Sequence, residues 1–288
     1  MRSSLWVSTD NMRTMKIVAD SSANVMELQK VSFAVAPLKI ITAQREFVDD
    51  QNLDLGDMIR YFESYKGRSQ TSCPNPEDWI KAFGDADDVF CVTITSGLSG
   101  SYNAACIAKE MYETENPDRR VFVIDSLSAG PELTLIIEKL QELILEGKSY
   151  EEICSYIPNY QKRTGLLFIL ESLKNFAANG RVSPAIAKIA GILGIRIVGK
   201  ASDQGTLEPT DKCRGEVKSL STILERLMES GLRAGRVHLA HCQNALAADK
   251  LKTMIREALP DVVVTIGENL GLCSYYAEKG GILVGYER

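Results

Sequence analysis

Three short apolar runs, each closed by a polar loop, constrain this chain more than any other feature. Lys16-Ile17-Val18-Ala19 ends in Asp20-Ser21-Ser22. Val89-Phe90-Cys91-Val92-Thr93-Ile94 ends in Thr95-Ser96-Gly97-Leu98-Ser99-Gly100-Ser101. Arg120-Val121-Phe122-Val123-Ile124 ends in Asp125-Ser126-Leu127-Ser128-Ala129-Gly130. Continuous β-branched runs of this length read as strands. Helical patterns alternate with them. Asn75 is placed to cap a helix with Pro76 at its first position and Trp79, Ile80 and Phe83 as its buried stripe. Tyr102 to Met111 reads as a helix, as does Glu132 to Glu146, which Gly147 ends. Ser149-Tyr150-Glu151-Glu152 is a capping box that starts another. Strand and helix in alternation predict a parallel sheet. All its strand carboxyl ends lie on one edge, where ligands bind in such folds. The hydroxyls of the three loops are therefore expected to converge.

The central loop suits an anion. Glycine lets backbone approach a ligand closely, and the free N–H groups of a helix's first turn favour negative charge. Ser96, Ser99 and Ser101 add hydroxyls. No Lys is present, so this is not a Walker loop. Taken alone, the segment is equally an ordinary strand–turn–helix connection capped by Ser.

Elsewhere, Val31 to Leu38 reads as a strand that Pro37 confines to an edge or an end. Asp54 is placed to cap a helix carrying Met58, Tyr61, Phe62 and Tyr65 on one face, with Gly67 as its stop. The second half reads differently. Strands are predicted at Gly165–Leu170, Ile192–Val198, Leu207–Thr210, Arg236–Ala240, Val262–Ile266 and Gly281–Gly285. Helices are predicted at Ser172–Ala178, at Ser183–Pro184 through Ile186, Ile189 and Ala190, at Glu216–Glu229 and at Ala245–Leu259. Gly267 to Gly271 reads as a turn. The expected organisation is an N-terminal extension over 1–15, an α/β domain over 16–160 and a mixed α+β domain over 161–288, joined near Asn159–Arg163.

Several function classes are disfavoured. A net charge of −5 with scattered Lys and Arg argues against general nucleic-acid or membrane-surface binding. The seven cysteines are odd in number and include no CxxC, so they are expected to be reduced and the compartment cytoplasmic. The two histidines, His238 and His241, are three apart on a predicted strand and face opposite sides, so no metal site is expected. The nucleophile elbow of a hydrolase is missing. Asn179-Gly180-Arg181 and Lys212-Cys213-Arg214-Gly215 each set an Arg beside Gly in a turn. Such an Arg can fork onto a carboxylate or phosphate, or stand as a solvated turn residue.

Taken together, Ala19-Asp20-Ser21-Ser22, Thr71-Ser72-Cys73-Pro74, the loop from Thr95 to Ser101, Ile124-Asp125-Ser126, Leu173 with Asn179-Gly180-Arg181-Val182-Ser183, and Lys212-Cys213-Arg214-Gly215 resemble the DegV family from about Lys16 to the end. That family includes the fatty-acid-binding, FakB-like subunits of bacterial fatty acid kinase. The resemblance implies an α/β domain with a parallel sheet and helices on both faces, joined to a mixed α+β domain. It implies one long-chain fatty acid, its chain inside the protein and its carboxylate between the two domains, with no other cofactor and no metal. The family's head-group Thr and Ser fall on Thr71 and Ser99, beside Ser96 and Gly100. Its arginines tied to work with the kinase fall on Arg181 and Arg214. Asn269 stands where the family's C-terminal turn usually carries His; it supplies no positive charge but can donate a hydrogen bond. Cys73 replaces the usual Gln.

The implied role is a carrier, not an enzyme. It buries the acyl chain and presents the carboxylate to a separate ATP-dependent kinase for acyl-phosphate formation, without nucleic acid or membrane insertion. The alternatives are a carrier of another anionic lipid, which Asn269 favours, or a small-molecule phosphotransferase related to dihydroxyacetone kinases. The latter needs a nucleotide and metal site for which the sequence offers no Lys-bearing phosphate loop or carboxylate cluster.

Overall fold

The computed structural model describes residues 13–183, 186, 192 and 194–288. Its first sheet is four-stranded and parallel, in the order β2-β1-β6-β7, with β1 at Met15–Asp20, β2 at Ser32–Ala36, β6 at Asp88–Thr93 and β7 at Arg120–Asp125. The two-residue period of a strand sorts its side chains. Ile17, Ala19, Phe90 and Val92 pack on one face with the helices Pro131–Leu145 and Tyr150–Gln161. Val18, Val89 and Cys91 pack on the other with Pro76–Phe83 and Ser101–Glu115. Burial on both sides is why these strands are apolar throughout. The edge position of β2 suits the Pro37 that follows it. Arg13 and Thr14 are held rather than loose: Arg13 pairs with Asp88 at 2.9 Å, and the Thr14 N–H donates to Asp87 at 2.8 Å. Met15, placed in the expected extension, begins β1, and residues 1–12 lie outside the described residues.

The second half forms a six-stranded mixed sheet, β10-β9-β8-β13-β11-β12. Its strands are β8 at Thr164–Leu170, β9 at Ile195–Ala201, β10 at Leu207–Arg214, β11 at Gly235–His241, β12 at Val262–Glu268 and β13 at Ile282–Glu287. Only β11 and β12 pair in parallel. Leu167 and Ile169 face the helices Glu216–Glu229 and Ala245–Ala258. Leu166, Phe168 and Leu170 face the first half of the molecule. The helix expected through Ile186, Ile189 and Ala190 falls largely outside the described residues.

A third sheet, β4-β3-β5, was not expected from the sequence. It comprises β3 at Lys39–Thr42, β4 at Glu46–Val48 and β5 at Ser69–Ser72, all antiparallel. The helix Leu55–Ser64 ends at Tyr65, earlier than the predicted stop, and Gly67 instead lies under the Tyr65 ring. The segment after β12 is not a plain turn, because Gly271–Ala277 is helical.

Two of the contacts between the halves lie at β11 and β13. The Arg236 guanidinium meets Glu287 at 2.9 Å, Glu142 at 2.6 Å and Glu138 at 3.1 Å. Glu138 and Glu142 belong to the first half, so a strand of one sheet is pinned to a helix of the other. Gly285 of β13 has no room for a side chain: an added Cβ would lie 2.5 Å from the Pro131 carbonyl carbon and 2.6 Å from the Glu132 nitrogen. Backbone cannot retreat as a flexible side chain can. Gly285→Ala is therefore expected to lower stability by about 1–3 kcal/mol, the usual cost of overpacking, read as a lower urea midpoint. An unchanged midpoint would show that the two halves slide apart freely.

Candidate functional site

The loops do converge, but two of their hydroxyls, Ser22 and Ser101, are turned onto the carboxylate of Asp20. Asp20 at the end of β1 is fully buried. Its carboxylate accepts from the Ser22 hydroxyl and N–H, from the Ile94 N–H at 2.8 Å and from the Ser101 hydroxyl at 2.7 Å. Burial pushes the Asp20 carboxyl up, and these hydrogen bonds pull it back toward the charged form. Ser21 is buried too, accepting the Leu38 N–H at 3.0 Å, and its hydroxyl favours the charged form of Asp49. One carboxylate thus ties together the loop after β1, the loop after β6 and the first turn of the helix Ser101–Glu115.

Beside this hub lies a cavity between the first half and the Leu166–Phe168–Leu170 face of β8, with an empty volume of about 800 Å³, solvent at its opening included. Leu38, Ile94, Ala129, Phe176, Leu207 and Leu283 make its wall largely apolar. Polar groups enter at a few points, among them Thr71, Ser99, Thr95 and Arg181.

Thr71 lines the cavity from β5, opposite Ile40. Its hydroxyl lies 2.7 Å from the Tyr276 hydroxyl. If Tyr276 donates, the Thr71 O–H remains available to a ligand. Ser99 accepts the Ser101 N–H at 3.2 Å, which leaves its own O–H likewise available. Arg181 donates from Nε to the Leu98 carbonyl at 3.1 Å and from Nη1 to the Asn179 carbonyl at 2.9 Å. A guanidinium carries five N–H donors, so others remain. Its Cζ stands 5.6 Å from the centre of the Tyr276 ring, which packs on Phe176. The Thr71 and Ser99 hydroxyls and the Arg181 guanidinium thus border an apolar cavity, with Lys200, paired with Glu208 at 3.5 Å, also on its lining, a combination suited to a carboxylate with a long apolar tail.

The other predicted site residues lie elsewhere. Ser96 is exposed, and its N–H donates to Asp125 at 3.1 Å. Gly100 is the residue before the helix and sits against Cys73. Asn269 is fully buried and outside the cavity lining. Its Oδ1 accepts from Asn24 at 2.9 Å, and its Nδ2 donates to the Ala240 carbonyl at 3.3 Å, so its amide is used to join the two halves. Arg214 ends β10, exposed and away from the cavity lining, so the two arginines stand in different settings.

Sequence reasoning missed Tyr276 and Asp49. Asp49 is buried and accepts the Gly271 and Leu272 N–H groups at 2.8 and 2.9 Å, fixing the start of the helix that carries Tyr276. An acidic residue remote in sequence carries no local sign of that pairing.

Comparison with known proteins settles the family. A family model described as "Uncharacterised protein, DegV family" matches residues 14–287. The chain belongs to the DegV family. A DegV domain-containing protein of Streptococcus pneumoniae strain R6 is 43% identical over 278 residues, covering 95% of this chain and 99% of its own length. A DegV family protein from Eubacterium eligens, solved loaded with heptadecanoic acid, is 45% identical with a TM-score of 0.93, over 95% of this chain and 99% of that one. The fatty acid kinase (Fak) B3 protein of Streptococcus pneumoniae, solved loaded with linoleic acid, is 43% identical with a TM-score of 0.93 and the same coverage. The DegV architecture, a parallel-sheet α/β half and a mixed-sheet half, is thus the fold of this chain. Among the described residues, no helix is long and apolar enough to cross a membrane, and no cluster of His, Cys, Asp or Glu could hold a metal.

The Asp49 setting has a pH signature. Burial pushes its carboxyl from 3.8 to about 6 despite the hydrogen bonds it accepts. A raised carboxyl favours the folded state when protonated. Its contribution is full below pH 3.8 and is lost as pH rises through about 6. The stability of the native protein relative to Asp49→Asn, from urea unfolding at stepped pH, is expected to fall across that window. A flat difference would contradict this setting.

Proposed function

We propose that this DegV protein holds a long-chain fatty acid and presents its carboxylate to a separate ATP-dependent kinase, which forms the acyl phosphate. The reading is carried by one juxtaposition: Thr71, Ser99 and Arg181 stand at the border of a cavity that is otherwise largely apolar. A chain buried there gains about 0.8 kcal/mol per CH₂. The carboxylate, costly to bury unpaired, is matched by hydroxyl donors and a guanidinium. The fatty acids bound by the Eubacterium eligens and Streptococcus pneumoniae relatives support the same assignment. Phosphoryl transfer in this account belongs to the kinase. This protein's part is to bury the tail, orient the carboxylate and exclude water from the chain. The kinase partnership is supported by the name of the Fak B3 relative and by an exposed Arg214 available to a second protein. Asn269, away from the cavity lining, gives no support to a different head group.

Mass spectrometry of lipid extracted from the purified protein is expected to find a stoichiometric long-chain fatty acid. A bound nucleotide in its place would overturn the carrier reading. In the Thr71→Ala/Ser99→Ala double variant, two charge-assisted hydrogen bonds are lost, each worth about 1.5–3 kcal/mol. Calorimetric affinity for octadecanoic acid is expected to drop on the order of a hundredfold or more. An affinity within twofold of native would place the head group elsewhere. Arg214→Ala is expected to keep lipid content while lowering kinase-dependent acyl phosphate. A parallel loss of both would refute the role of Arg214 at the kinase interface.

A further inference from the structure

Ser128 is a further polar point of the cavity, beyond Thr71, Ser99 and Arg181. Ser128 borders it from the loop after β7 and is 2% exposed. Among the described residues its Oγ meets no partner at hydrogen-bond geometry. Its backbone is fully engaged: the carbonyl accepts the Thr95 N–H at 2.9 Å, and its own N–H donates to Ser126 Oγ at 3.1 Å. The side chain is thus held in place while its hydroxyl is left unsatisfied, a costly arrangement in a buried setting.

The position of this hydroxyl follows from β8. Thr164, Leu166, Phe168 and Leu170 are alternate residues and share one face. Leu166, Phe168 and Leu170 line the cavity. Leu170 shares an apolar cluster with Phe176, against whose ring the tilted ring of Tyr276 packs, with Thr71 beside it. The Leu166 end pairs with Gly285, which rests against Pro131 and Glu132. There the Thr164 hydroxyl donates to Glu132 Oε1 at 2.7 Å. Ser128 lies near the same carboxyl but outside hydrogen-bond geometry with it, and burial pushes Glu132 up to about 7. Leu166 and Leu170 are separated by about 13 Å of strand. Leu166, Phe168 and Leu170 thus give the wall an apolar stretch, with the Thr164–Glu132 pair beyond its Leu166 end.

We propose that Ser128 recognises an oxygen substituent on the acyl chain, so that the cavity takes a long-chain hydroxy fatty acid in preference to its unsubstituted counterpart. This inference rests on the fatty acid reading of the cavity. An alkyl chain leaves the Ser128 hydroxyl unpaired, whereas a chain hydroxyl that reaches it satisfies both partners. The mouth residues hold the carboxylate as before, so the distance from mouth to Ser128 selects the position of the substituent.

The test is a calorimetric titration of the lipid-stripped protein with octadecanoic acid and a series of monohydroxy-octadecanoic acids, the hydroxyl moved carbon by carbon from the middle of the chain outward. One positional isomer is expected to bind up to about tenfold tighter than octadecanoic acid. In Ser128→Ala that advantage is expected to shrink to within about twofold, with octadecanoic acid binding retained or tightened. Retained binding also shows that the variant is folded. Equal affinity across the series in the native protein, or weaker binding of every hydroxylated isomer, overturns the inference and leaves the fatty acid site standing. A preference that persists in Ser128→Ala overturns it as well. If no acid of the series binds the native protein, octadecanoic acid included, the fatty acid reading itself falls.

Discussion

The buried carboxylate of Asp20 is the interaction on which the site depends. It is fully buried, yet it accepts hydrogen bonds from three separate stretches: the residues just after it, the Ile94 N–H and the Ser101 hydroxyl. A carboxylate can be buried at tolerable cost only when its lone pairs are satisfied in this way. The consequence is geometric. The end of β1, the end of β6 and the first turn of the helix Ser101–Glu115 are locked together. Ser99 is held by the Ser101 N–H, so the orientation of a cavity-lining hydroxyl is set by a charge that never reaches the cavity.

Asp49 does the same on the opposite wall. By capping the start of the helix Gly271–Ala277 it places Tyr276, and Tyr276 in turn meets Thr71 and lies under Arg181. Two buried acids thus organise the mouth indirectly, and the groups left free are neutral donors and a cation. This division of labour matters for an anionic ligand. An exposed acid at the mouth would repel it, whereas acids sequestered by backbone and hydroxyl donors leave the opening receptive. Behind the mouth, the face of β8 supplies the apolar length that an acyl chain requires.

Much of the fold was legible because the physics there is local. β1, β6 and β7 are buried on both faces and so are apolar without interruption. Asn75 with Asp78 and Ser149 with Glu152 form the reciprocal caps their spacing announces. Ser99 was marked by its glycine-rich loop before a helix, whereas Thr71 was singled out only through family resemblance, since one Thr in a polar stretch has no periodicity to mark it. What escaped was set by distant contacts. The sheet that carries Thr71 is made of three- and four-residue strands, one of them the wholly polar Ser69-Gln70-Thr71-Ser72. The short helix bearing Tyr276 opens with Gly271 against Asp49, more than two hundred residues away in sequence. Asn269 drew attention as a head-group candidate because of where it falls in a motif. The fold spends its amide on Asn24 and Ala240 instead.

The central claim is that a carboxylate is gripped by hydroxyls and a guanidinium at the border of an apolar cavity. The most direct test is carbon NMR of the protein loaded with octadecanoic acid labelled at its carboxyl carbon. The account predicts a single bound resonance that remains in the ionised position well below the pH at which ordinary carboxylic acids take up a proton, because donors and Arg181 favour the charged form. A carboxyl that titrates like a free or solvent-exposed acid would contradict it.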